Sequence, residues 1–142
     1  MAEISLNKAR TFVRATLAKG RDMGLKPLSV VVLDTGGHVK AFEREDGAAP
    51  GRFKVAEGKA YGSIMLGMAG TAQMARAEQQ AYFMQAVNGL YGGKVVPVPG
   101  GVLVRNARGD VIGAVGVTGD TSDNDAEAAR AGIEKAGYTA EI

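Results

Sequence analysis

Leu28-Ser29-Val30-Val31-Val32-Leu33-Asp34-Thr35-Gly36-Gly37-His38-Val39-Lys40-Ala41-Phe42-Glu43-Arg44 is the stretch on which the fold turns. Its first six residues are rich in β-branched side chains and too few for a helix, which predicts a buried strand. Asp34-Thr35-Gly36-Gly37 has the composition of a turn, and His38 to Arg44 alternates in strand fashion, so the stretch reads as a β-hairpin. Upstream, Ile4, Leu6, Ala9, Phe12, Val13, Thr16 and Leu17 recur mostly at helical spacing, with Ser5 placed as N-cap and Gly24 as stop.

Downstream, residues 46–51 form a loop and a helix is expected from about Arg52 to Met68. Gly70-Thr71 breaks it and opens a second helix from about Ala72 to Asn88. Val95-Val96-Pro97-Val98-Pro99 is extended, and its prolines suit an edge strand. Gly101–Arg105 and Val111–Val117 read as strands paired around the turn at 106–110. Ser122 and Asp125 match a capping box ahead of a helical pattern from Ala126 to Lys135, closed by Gly137. Strands and helices are thus segregated, which predicts one α+β domain over residues 1–142, built on a mainly antiparallel sheet.

Composition narrows the chemistry. The 142 residues include 21 glycines, no cysteine, no tryptophan and one histidine. Disulfides, thiolate metal sites and a cysteine nucleophile are excluded, as is a cage of several histidines within one chain. The net charge is +2, with basic residues scattered among acidic ones, so no nucleic-acid partner is expected. The start of the chain has neither a basic nor an apolar leader region, and no apolar run is long enough to span a bilayer. A soluble, cytoplasmic protein without a membrane partner is expected. Motifs for dinucleotide, Walker and serine-hydrolase sites are missing. The acidic loop with Asp120, Asp123 and Asp125 misses the calcium-loop spacing and suits a helix N-terminus instead.

Glycine is the anomaly, at about twice its usual ~7% share. Gly58, Gly62 and Gly67, with Ala56, Ala60 and Ser63, crowd the helix that begins at Arg52. Glycine inside a helix costs up to about 1 kcal/mol relative to alanine, so a local reason is needed: close packing, or room for a flat ligand. Lys59 lies inside this zone, and if buried it requires a carboxylate or an anionic ligand. Pro99-Gly100-Gly101 forms either a tight turn or a strand entry whose bare N–H groups suit an anion or a planar edge. His38 offers the sole imidazole for a metal or haem iron, and Tyr61, Tyr82, Tyr91, Met65, Met68, Met74 and Met84 are other side chains of ligating type.

Taken in order, Val30–Val39, Arg44 with Asp46-Gly47-Ala48, Lys59-Ala60, Gly100-Gly101, and Gly113–Gly119 with Asp125 downstream resemble the GlcG/HbpS-like family. That family includes the haem-binding HbpS proteins and the C-terminal domain of PduO-type corrinoid adenosyltransferases. The resemblance covers nearly the whole chain. It implies a profilin-like fold with a central antiparallel five-stranded sheet flanked by helices, assembled into dimers or larger homo-oligomers. It also implies haem binding in some members and a pocket lined by the His38 segment, Lys59, Gly100 and Gly101. Where members follow the glycine pair with a small residue and proline, this chain has Val102 and Leu103. Around Lys59 it has Gly58, Tyr61 and Gly62 in place of alanine and threonine.

The leading expectation is a small oligomeric binding protein for a planar anionic molecule, haem or a related tetrapyrrole. Arg44 and Lys59 would neutralise its carboxylates, Gly100-Gly101 would approach it, and His38 or Tyr61 would ligate iron. Two rival expectations are a small enzyme acting on a carboxylate or aromatic acid, anchored by Lys59, and an assembly scaffold whose glycines serve only packing.

Overall fold

The computed structural model describes residues 3–142. The hairpin forms as expected, from β1 (Ser29–Leu33) and β2 (Val39–Arg44). Asp34 accepts from the Gly37 N–H at 3.0 Å and donates its own N–H to the His38 carbonyl at 2.9 Å. Gly37 takes a positive φ of 82°, which a side chain would resist. β3 (Gly101–Arg105), β4 (Val111–Thr118) and β5 (Thr139–Glu141) complete one sheet in the order β2-β1-β4-β3-β5, every neighbouring pair antiparallel.

On one face lie α1 (Leu6–Asp22) and α5 (Ser122–Lys135). Phe12, Val13 and Ile133 pack there against Val30, Val32, Val115 and Val117. Burying Phe12 alone contributes roughly 1.5–3 kcal/mol. Ser5 caps α1 by accepting from the Lys8 N–H. The other face is covered by α2 (Arg52–Leu66), whose Ala56 and Ala60 meet Val31, Leu33, Leu103 and Ala114. That contact is close because the strands beneath are bare. A Cβ on Gly116 would run into the Ala56 carbonyl, and one on Gly101 into the carbonyl of Lys59.

Several elements differ from expectation. The helix read at 72–88 is two helices, α3 (Gly70–Gln79) and α4 (Ala81–Leu90), broken at Gln80 with φ −138° and ψ 65°. No glycine or proline marks the break; α3 packs beside α2, and α4 turns inward through Met84 and Val87. Residues 95–99 are not an edge strand. They cross α2, with the Val96 N–H donating to the Gly58 carbonyl at 3.2 Å, and two prolines remove the donors a ladder needs. The fifth strand is β5 instead, a segment not anticipated. At the start of α5 the capping box does not form: Thr121, not Ser122, caps by accepting from the Asn124 N–H, and the helix begins at Ser122 rather than Ala126.

Candidate functional site

The six candidate residues separate into three places. Lys59 is buried beneath β4, where its ammonium donates to the Val117 carbonyl at 2.9 Å and to Asp125 Oδ2 at 3.2 Å. Asp125 accepts a further bond from the Asp120 N–H through Oδ1. Burial pushes the Lys59 ammonium below its ordinary pKa and the Asp125 carboxyl above its own, each opposed by the charge of the other. Gly100 and Gly101 lie against this pair. Gly100, at φ 111°, has no room for a Cβ beside the Lys59 side chain, and its carbonyl accepts from the Val117 N–H at 2.9 Å. The glycine pair thus faces the chain's own α2.

Tyr61 lies two residues beyond Lys59 on α2, beside the turn that carries His38. Gly37 lies against the Tyr61 ring and the Met65 methyl, so the turn carrying His38 rests on the last two turns of that helix. His38 is exposed and Tyr61 half-buried. On its other side Tyr61 meets Tyr91 edge-on, with ring centroids 6.0 Å apart, and the Lys94 ammonium stands 4.4 Å from the Tyr61 centroid. Lys94 also pairs with Glu57 at 3.3 Å. From there a cleft of about 560 Å³ opens, lined by Tyr91, Gly92, Gly93, Lys54, Lys94 and Val96 among others. Its size falls within the range of small-molecule sites.

Arg44 joins neither place. It ends β2 six residues from His38, roughly 20 Å along an extended strand. Its main chain pairs with Ser29 of β1, and it borders a second cleft of about 500 Å³ with Leu17, Arg21, Leu25 and Pro27. Among the described residues no group of three or more His, Cys, Asp or Glu side chains is placed to hold a metal ion, and no helix is long and apolar enough to cross a membrane.

A model of the family described as "Haem degrading protein HbpS-like" matches residues 4–134. The chain belongs to the HbpS-like family. HbpS itself superposes with a TM-score of 0.79 at 26% identity, over 95% of this chain and 91% of that one. PduOC, solved as a heme complex, gives a TM-score of 0.84 at 20% identity over 96% of each chain. Protein ORFY of Klebsiella pneumoniae gives 0.80 at 24% identity, over 94% and 90%. No curated protein matches. The HbpS-like architecture is the profilin-like α+β fold expected from the sequence.

Within this HbpS-like chain, sequence reasoning missed Lys94 beside the Tyr61 ring, and it read Asp125 as a capping and helix-dipole residue and part of the family pattern, not as the partner of Lys59. Arg52, whose guanidinium donates to the Thr118 hydroxyl at 2.8 Å, was also missed. The one signal for Asp125 was the demand of a buried lysine for a carboxylate. Nothing local marks which of the 15 acidic residues answers it.

Proposed function

We propose that this chain is a self-associating binding protein for a planar anionic small molecule, haem or a related tetrapyrrole, held around Tyr61. The observation that carries the reading is the position of Tyr61, flanked by the His38 turn and Met65 on one side and by Tyr91 and Lys94 on the other. Histidine, tyrosine and methionine are all side chains that hold haem iron, and Tyr61 has Met65 and the turn carrying His38 beside it. The aromatic pair offers apolar contact for a flat ring. Lys94 and Lys54 border the adjoining cleft, together with Glu57 and Tyr91, and supply positive charge for carboxylates. Bound haem supplies a redox-active iron. The family description and the PduOC–heme complex support this choice of ligand.

In this reading the carboxylate contacts pass to Lys54 and to Lys94, whose pair with Glu57 is open to solvent and can be exchanged for a ligand, whereas Lys59 is buried with Asp125 and Arg44 stands at the far end of β2. Titration of the purified protein with hemin tests it. A Soret band that shifts and saturates is expected, with its position altered by His38→Ala or Tyr61→Phe and affinity lowered by Lys94→Ala. A band that neither shifts nor saturates, or that ignores simultaneous change of His38 and Tyr61, overturns the reading.

A further inference from the structure

At the N-terminal end of α2, three strands bring a row of polar residues together. The register sets Arg44 of β2 opposite Ser29 of β1, and Ser29 opposite Thr118 of β4. Directly paired residues project from the same face of a sheet with Cβ atoms about 4.5–5.5 Å apart. That face is the one α2 covers, since Val31, two residues on from Ser29, and Phe42, two before Arg44, both pack under it. Arg52, the first residue of α2, reaches Thr118 in the same row.

Three features of this corner suit an anion. The Ser29 side chain is fully buried, yet its hydroxyl has no hydrogen-bond partner. A buried hydroxyl left without a partner is destabilising. Among the described residues the Arg44 guanidinium makes no hydrogen bond or ion pair, although the residue is exposed. The start of α2 has neither a capping side chain at Gly51 nor an acidic residue in its first turn, so the positive end of a 15-residue helix is unopposed. Three of the neighbouring acids are engaged elsewhere. Glu45 pairs with Arg21 and accepts from the Leu28 N–H; Asp120 accepts from the N–H groups of Lys26 and Thr121 and from Asn124; Asp125 holds Lys59.

We propose that Arg44, Ser29, Thr118 and Arg52 form a binding site for a small oxyanion, the carboxylate or phosphate group of a metabolite. The guanidiniums bind two oxygens of the anion in the bidentate manner suited to either group, and Ser29 gains the acceptor it lacks. Thr118 positions Arg52. This site is independent of the haem reading, since it lies at the N-terminal end of α2, nine residues before Tyr61, and its probes give no Soret signal.

Isothermal titration at fixed ionic strength, with sodium phosphate and sodium succinate as separate probes, tests the proposal. Saturable binding of at least one is expected; preference for phosphate assigns a phosphate group and preference for succinate a carboxylate. Arg44→Gln and Arg52→Gln should each weaken binding about tenfold or more, a change expected from losing a charge-assisted hydrogen bond. Ser29→Ala should weaken binding while leaving the thermal midpoint unchanged or higher, which a merely structural serine would not do. Arg108→Gln, on the exposed β3–β4 turn, should change nothing. Saturation by neither probe, full affinity in Ser29→Ala, or equal weakening by Arg108→Gln and Arg44→Gln overturns it.

Discussion

Lys59 and Asp125 come from helices on opposite faces of the sheet and meet beside the end of β4, 3.2 Å apart, with side chains 4% and 1% exposed. The pair ties α2 to α5 where the sheet no longer separates them. Removing one partner leaves the other charge buried, at a cost of about 3–5 kcal/mol. Lys59→Met should therefore lower the unfolding free energy by that amount in urea denaturation. The double variant Lys59→Met/Asp125→Asn should recover more than half of the loss, because the asparagine carbonyl still accepts from the Asp120 N–H.

The glycines under α2 should be far less tolerant than Gly89 in α4. Gly116→Ala places a methyl group against the Ala56 carbonyl and is expected to cost about 1–3 kcal/mol. Gly89→Ala, inside α4 with nothing within 4 Å of the new carbon, should instead stabilise by ~0.5–1 kcal/mol. Thermal melts of the two variants should move in opposite directions.

Asp120 provides a pH signature. Its hydrogen bonds from Asn124 and from the N–H groups of Lys26 and Thr121 hold its carboxyl at about 2, below its ordinary 3.8. A depressed folded-state pKa means that the unfolded chain binds protons first as the solution is acidified. The stabilisation is present above about 4 and is lost as the pH falls toward about 2. Acid unfolding of Asp120→Asn should accordingly depend less steeply on pH in that window than the wild type.

Mobility should concentrate in α4. It is anchored through Met84 and Val87 while Tyr82 and Leu90 stand 72% and 81% exposed. Hydrogen exchange followed by mass spectrometry should find its amides exchanging faster than those of α1 and α5, whose inner faces are buried in the larger core.

The parts of the fold that were legible in sequence are those with a strong local pattern. The run from Leu28 to Leu33 and the helical spacing from Ile4 to Leu17 each specify one element almost regardless of context. Thr139-Ala140-Glu141 carries no such pattern; it becomes a strand because β3 presents an open edge to it. Val95 to Pro99 carries the opposite mismatch, with strand-like valines whose register is broken by proline. For the site, the need of Lys59 for a carboxylate was readable, but its partner lies 66 residues away and was already accounted for by a helix start. Likewise the glycines announced close approach without saying to what. Gly58 and Gly62 meet Lys94, Val96, Gln73 and Val95 of the same chain, so crossing segments rather than a ligand use that room.

Because bare strands seat α2 so closely, that helix cannot slide or tilt inward without driving its backbone into the sheet. Arg52 and Tyr61 are nine residues apart along it, about 13.5 Å at the helical rise. The helix is therefore a fixed spacer, and whatever binds at one end leaves the geometry of the other unaltered. Side chains around Tyr61 can be exchanged without retuning those around Arg52, and coupling between the two regions runs through charge rather than through movement of the helix they share.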